Sequence, residues 1–343
     1  MDKPRETGVL QAPFPWFGGK ARIAPLVWQA LGNVPHYVEP FAGSLATLLA
    51  RPHPGQVERV CDRDGLICNF WRAVRESPDE VAEWADAPVM ENELHARHIF
   101  IVEALADLVT RIEGDPDYYD VRIAGYWLYG ICTWIGGEFA SGKGPWALDE
   151  EKRLVKREGP SVGVHRQLPH LGHAGMGIHR KRPHLGDTGN GIHRLSKRER
   201  IVDWMQALSD RLRHVDVICG DWSRLMGPSV TTRLGTCGIF MDPPYGEALR
   251  DTLYRIETAN VAQDVAEWCR ANGDNPIHRI VLCGYHGEHE MPAGWRMVEW
   301  KARGGYGNQG QGRGRDNAEL ERIWLSPHCL ATSEENLNQL ELW

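Results

Sequence analysis

Apolar positions in this chain fall into two kinds of pattern, short continuous runs and helical stripes, and the two alternate. The runs at His36–Gly43, Val57–Asp62, Val215–Cys219, Gly238–Met241, Ile277–Cys283 and Arg322–Leu325 read as buried strands. Between them, Arg22–Leu31, Ser44–Ala50, Leu66–Val74, Ile201–Leu212 and Asn260–Ala271 carry helical periodicity, with Ser44 as the expected cap of the second. Helix formers dominate from Pro78 to Ile112, and Ala124–Ile135 is apolar enough for a buried helix. Strands alternating with helices read as an α/β fold.

The pattern breaks in the middle. Gly163–Gly172 recurs as Gly177–Gly186, and the unit starts again at Gly191-Ile192-His193-Arg194, a period of fourteen residues. Glycine and proline in each unit forbid continuous helix, so each reads as an extended piece plus a turn. Arg303–Arg315 is a second basic, glycine-rich stretch, and Ser333–Trp343 reads as a loose tail. The chain thus divides into a discontinuous α/β body (1–75 and 201–330), an inserted helical and basic region (76–200) and a tail (331–343).

Charge sharpens this division. The 343 residues carry a net −7, yet residues 151–200 hold 12 Lys/Arg against 4 Asp/Glu and 6 of the 15 histidines. A basic block in an acidic body points to local contact with a polyanion. Arg166, Arg180, Lys181, Arg182 and Arg194 are the side chains placed to make it. The paired histidines invite a metal reading, but no cysteine joins them and the glycine-rich backbone lacks the rigidity of a preformed site, so no metal is expected. The eight cysteines are scattered without a C-x-x-C pair, as in a reduced cytoplasmic protein. A polar start and the lack of an eighteen-residue apolar run predict neither secretion nor a membrane span.

Candidate chemistry sits where strands end. Asp242-Pro243-Pro244-Tyr245 follows the Gly238–Met241 strand, and ligands bind at the carboxyl ends of strands in open α/β sheets. Two prolines stiffen the turn and remove two N–H donors, leaving carbonyl acceptors beside a carboxylate and a flat ring. Such a set suits a planar heterocycle with an exocyclic amine, such as adenine. Glu39-Pro40-Phe41-Ala42-Gly43-Ser44 occupies the place of a nucleotide-binding turn, with Gly43 allowing close backbone approach. This turn lacks the full G-x-G-x-x-G fingerprint, and the chain has no Walker A sequence. Asp62 ends the next strand, where a carboxylate either accepts from ribose hydroxyls or simply closes a turn. Asp221 has the same position after Gly220, with a cofactor or a neighbouring backbone N–H as its partner. Trp16-Phe17-Gly18-Gly19-Lys20 precedes the first helix and aims a lysine and an indole inward.

Taken in order, these segments resemble the D12-class N6-adenine DNA methyltransferases, the bacterial and phage DNA adenine methylases. Trp16–Lys20 is similar to the amino-terminal motif of that group, Val38–Gly43 to its S-adenosylmethionine motif, Asp62–Asp64 to its acidic motif and Asp242–Tyr245 to its catalytic motif. The resemblance spans about residues 13 to 327 and ends on Glu321–Ser326, which suits the last strand. It implies a Rossmann-like methyltransferase sheet with helices on both faces and an inserted target-recognition region. It further implies S-adenosylmethionine as cofactor, held by Trp16, Lys20, Glu39, Phe41, Gly43, Asp62, Asp221 and Asp242, and double-stranded DNA as partner. Asp242, Pro243 and Tyr245 would carry catalysis on a flipped adenine. An RNA adenine as acceptor, or a non-catalytic DNA-binding module on the same fold, are the alternatives. Two departures stand out: Leu45 occupies a loop position where the group often has a second glycine, and the fourteen-residue repeat has no counterpart in its recognition regions.

Overall fold

The computed structural model describes residues 10–16, 20–53, 55–134, 139–141, 146–149, 154–156, 197–244, 260–300 and 321–332. In chain order the elements are α1 (Ala24–Leu31), β1 (His36–Glu39), α2 (Ala46–Leu49), β2 (Val57–Asp62), α3 (Gly65–Glu76), α4 (Pro78–Ala85), α5 (Glu91–Gly114) and α6 (Val121–Thr133). A hairpin of β3 (Trp146–Leu148) and β4 (Leu154–Lys156) follows, then α7 (Lys197–Leu212), β5 (Val215–Cys219), α8 (Pro228–Thr231) and β6 (Cys237–Met241). The last elements are α9 (Val261–Asn272), β7 (His278–Tyr285), β8 (Arg296–Glu299) and β9 (Glu321–Leu325).

Seven strands form one mixed sheet in the order β5-β2-β1-β6-β7-β9-β8. All pairings from β5 to β7 are parallel, and β9 runs antiparallel to both its neighbours. The chain winds outward from β1 through β2 to β5, then returns to lay β6 and β7 on the other side of β1. Strand order therefore reverses between β1 and β6, and ligands of open α/β sheets bind at the carboxyl ends of strands at such a reversal.

Alternation along the strands separates two cores. Tyr37, Val60, Val217, Phe240, Val281 and Ile323 face α1 and the helices of the inserted region. Val38, Cys61, Ile239, Leu282 and Trp324 face α9 on the opposite side. Both faces of the sheet are thus covered by helices, as a mostly parallel sheet requires.

Local signals set several boundaries. Pro25 lies in the first turn of α1, and Gly32 stops it at φ +66°. Asp64 caps α3 by accepting from the Leu66 N–H at 2.8 Å, and Asp120 caps α6 through the Ile123 N–H at 2.8 Å. Ser44 does not cap α2. Leu45 takes the cap position with φ +53° and no side-chain cap bond.

α3 is buried over ten successive residues, Gly65–Val74, although it contains an arginine. Arg72 lies inside because four backbone carbonyls accept from it: Val217 (2.9 Å), Ile112 (3.1 Å), Asp115 (2.9 Å) and Tyr118 (3.2 Å). Ile112 lies in the last turn of α5, and Asp115 and Tyr118 in the α5–α6 connection, where no helical ladder continues to satisfy the carbonyls. At the amino end of the sheet, Glu58 on β2 accepts from Arg51 at 3.0 Å and from both Nη atoms of Arg211 on α7, at 2.6 and 2.9 Å. Arg211 also donates to the Leu48 carbonyl at 2.9 Å, so the helix that follows the inserted region is tied back to β2 and α2.

Within the described residues, no helix is long and apolar enough to cross a membrane.

Candidate active site

Four acidic residues stand along the carboxyl edge of four neighbouring strands. In sheet order they are Asp221 just beyond β5, Asp62 ending β2, Glu39 ending β1 and Asp242 just beyond β6. Glu39 and Asp62 continue the alternation of Tyr37 and Val60, and so project to the face that carries α1. Adjacent strands lie about 4.8 Å apart, so the row is roughly 14 Å long. The strand-order reversal falls between Glu39 and Asp242.

The loop after β1 is fixed from several sides. The Ala42 N–H donates to the Cys61 carbonyl at 2.8 Å, extending the β1–β2 ladder by one bond. Gly43 has φ +45°, and its N–H donates to Asp62 Oδ2 at 2.9 Å. Its carbonyl accepts from the Trp71 indole at 2.9 Å. A Cβ on Gly43 would stand 2.6 Å from Trp16 Nε1, so the first motif lies directly on the second. Trp16 is itself braced edge-on against buried Phe14, at 5.9 Å between ring centres. Gly43→Ala is expected to destabilise the protein by about 1–3 kcal/mol, because a left-handed backbone and a rigid indole both oppose the methyl. Denaturant unfolding of the variant measures this.

Leu45 shows how the chain manages without the second glycine. It adopts the left-handed conformation (φ +53°), yet its side chain is fully buried in the core beneath the loop. Apolar burial offsets the backbone strain.

Asp62 Oδ1 also accepts from the Asp64 N–H, at 2.8 Å. The Arg63 N–H is a further donor to it, so the carboxylate closes its own turn with three backbone N–H groups. Burial pushes this carboxyl up to about 6, against the pull of those N–H groups. Glu39 is buried deeper. It accepts from Tyr37 Oη at 3.0 Å and from the Leu48 N–H, and burial lifts it to about 8, with Asp242 adding to the rise. Asp242 is also raised by burial, while Lys20 opposes the shift through an ion pair at 3.1 Å. Lys20 is 5% exposed, so the pair is held largely out of water. Pro243 is buried and Pro244 half-buried, and neither carries an N–H.

The structure brings Trp16, Lys20, Glu39, Gly43, Asp62 and Asp242 to one edge. Asp221 lies at the same edge and caps the 3-10 turn Trp222–Leu225, accepting from the Ser223 N–H (3.0 Å) and hydroxyl (2.6 Å). Phe41 stacks near Trp222, with centroids 6.3 Å apart and planes 24° from parallel. Tyr245, Arg166, Arg180, Lys181, Arg182 and Arg194 lie outside the described residues. No group of three or more His, Cys, Asp or Glu suited to a metal ion occurs among the described residues.

Three participants were not singled out in the sequence. Trp222 follows the strand-end Asp221 and is the only aromatic in its turn. Tyr285 ends β7 and pairs in register with Glu321 at the start of antiparallel β9, so both reach the same carboxyl edge. The period-two count from Val281 and Ile323 would have found them.

Compared with known proteins, the chain matches no family model and no curated protein.

Proposed function

We propose that the protein is an S-adenosylmethionine-dependent methyltransferase that acts on N6 of an adenine in duplex DNA. The observation that carries this reading is the buried Lys20–Asp242 pair, set beside Glu39 at the point where strand order reverses. The sheet supports it: two parallel halves diverge from β1 and β6, and the last strand of the chain, β9, inserts antiparallel between β7 and the edge strand β8.

The edge fits the cofactor class by its chemistry. With three backbone N–H groups on it, Asp62 keeps one acceptor site for a ribose hydroxyl. Phe41 and Trp222 offer ring faces for a purine. Glu39 and Asp242 suit an ammonium group, and Gly43, lacking a side chain, makes room for the Trp16 indole beside them. These are the residues that would hold S-adenosylmethionine, which when bound supplies an electrophilic methyl on sulfur. A phosphate-bearing cofactor fits poorly against this row of carboxylates.

The chain's own groups would then act on the amine. An adenine N6 lone pair is delocalised into the ring. Hydrogen bonds from its two N–H groups to the Asp242 carboxylate and the Pro243 carbonyl draw that lone pair out of the ring. Lys20 fixes the carboxylate's orientation and favours its ionised form, the form that accepts. Catalysis is then largely positioning and electrostatics. The amine loses one proton as it gains the methyl, and no covalent enzyme intermediate arises. The buried cysteines, with thiols pushed up by desolvation, play no nucleophilic part.

A base inside a duplex must first leave the stack, at a cost of a few kcal/mol. Stacking on the Tyr245 ring would return about 1–3 kcal/mol. The basic segment at 151–200 would grip phosphates, which makes affinity fall steeply with salt. The test is direct: incubate the protein with methyl-tritiated S-adenosylmethionine and unmethylated duplex DNA, digest to nucleosides and separate them. Label in N6-methyldeoxyadenosine supports the reading. Label only in an RNA acceptor replaces the substrate, and no label in either overturns the reaction.

A further inference from the structure

The stretch Leu10–Trp16 belongs to no helix or strand, so individual contacts decide where it lies. Two of its carbonyls are tied to the body. Gln11 accepts from the Trp204 indole on α7 at 3.0 Å, and Pro13 from the Cys132 thiol on α6 at 3.5 Å. Phe14, 3% exposed, enters the core between them. Its ring meets Phe70 and Trp71 of α3 at 5.3 and 5.7 Å between centroids, Trp127 of α6 at 4.9 Å and Trp16 at 5.9 Å. Three of these four contacts are edge-on, a geometry that a flat ring makes and an aliphatic side chain does not.

Two of the four rings also hold Gly43. Trp71 donates its indole N–H to the Gly43 carbonyl at 2.9 Å, and Trp16 Nε1 stands 2.6 Å from where a Cβ on Gly43 would lie. Gly43 in turn directs its N–H to Asp62 Oδ2 at 2.9 Å. Phe14 is thus the shared neighbour of both indoles, and through Gly43 it bears on Asp62. Four residues beyond Trp16, Lys20 reaches Asp242 at 3.1 Å, across the strand-order reversal. One phenyl ring, enclosed by α3 and α6, is therefore linked to both halves of the carboxyl edge.

We infer that Phe14 is a positioning residue of the site: it sets Trp16 and Trp71 about Gly43, and so sets the affinity of the edge for the methyl donor without touching it. The inference rests on the methyltransferase reading and adds to it a determinant that lies off the edge. Truncating Phe14 opens a ring-sized void whose walls are two helices and the Leu10–Trp16 stretch. The helices are held by their own ladders, so the void closes by movement of the stretch. Trp16 moves with it, and Gly43 loses one of its two indole neighbours.

The test measures the dissociation constant of S-adenosylmethionine and the melting temperature for the full-length wild type, Phe14→Leu and Phe14→Ala. Phe14→Leu keeps apolar bulk but no ring edge, and is expected to melt near the wild type while binding the methyl donor more weakly. For Phe14→Ala the dissociation constant should rise about 10–100-fold, as when groups that orient metal ligands are removed. Benzene, the ring taken away, should enter the apolar void and restore affinity in Phe14→Ala while leaving the wild type unchanged. Wild-type affinity in Phe14→Leu, alone or with Phe14→Ala, makes Phe14 a core residue only and overturns the inference, leaving the methyltransferase reading in place. Weakened binding in a cooperatively melting Phe14→Ala that benzene does not reverse overturns it too. If Phe14→Ala does not fold, Phe14→Leu decides alone. A wild-type protein that binds no S-adenosylmethionine removes the reading and the inference together.

Discussion

Asp242→Ala is expected to abolish methyl transfer while the protein still folds. Two losses coincide in this variant. The substrate amine loses the acceptor that draws out its lone pair, and Lys20, 5% exposed, loses the carboxylate it holds at 3.1 Å. Asp242→Asn separates them. Asparagine keeps the size and one oxygen acceptor but loses the charge, so the amine can still be positioned but not polarised. Removing one preorganised electrostatic partner at a reacting centre costs about 10²–10³-fold in kcat. A fall of that order is expected for Asn and a larger one for Ala. Cofactor affinity decides which role dominates. If Asp242 serves mainly the amine, kcat falls and S-adenosylmethionine binds nearly as before. If it serves mainly the cofactor's ammonium, the dissociation constant rises in step with the rate loss. Full activity in the alanine variant would overturn the mechanism.

The strands of the fold were legible because buried parallel strands leave short unbroken apolar runs, and β1, β2, β5, β6, β7 and β9 all coincide with such runs. β8 was not, since its residues alternate between half-buried and exposed and it is a four-residue edge strand. The β3–β4 hairpin escaped for a similar reason, at three residues a strand. Ser44 misled as a cap because the preference for serine is statistical. Here the loop spends its tightest turn on Leu45, whose side chain is drawn into the core and pulls its backbone into the left-handed region. The acids at the carboxyl edge were legible wherever one follows an apolar run, as at Asp62, Asp221 and Asp242, and at Asp221 the partner is the neighbouring Ser223 N–H. Tyr285 and Glu321 stayed hidden because their relation is a matter of register, and a single sequence does not state which strands pair. The Lys20–Asp242 pair joins positions more than two hundred residues apart, a contact that only the folded sheet makes.

Glu58→Gln is expected to cost about 3–5 kcal/mol of stability, the loss typical of removing one partner from a buried ion pair. Glu58 is 6% exposed at its side chain and carries two arginines, Arg51 fully buried and Arg211 at 21%. Glutamine keeps the shape but leaves two guanidinium groups facing one neutral oxygen. Arg51 also rests on the Trp28 ring at 4.9 Å, which does not replace a carboxylate. The Arg59–Asp216 pair supplies the contrast on the same strand. It has a similar separation, 3.2 Å, but Asp216 is 60% exposed, so Asp216→Asn should cost no more than about 1 kcal/mol. Denaturant unfolding of the two variants side by side measures the gap. A small loss in Glu58→Gln would mean that the cores alone hold α7 in place. A large one makes the triad the tie that returns the chain from the inserted region to β2. It would also explain how a long basic insertion is carried without disturbing the edge at the opposite end of the same strand, where Asp62 stands.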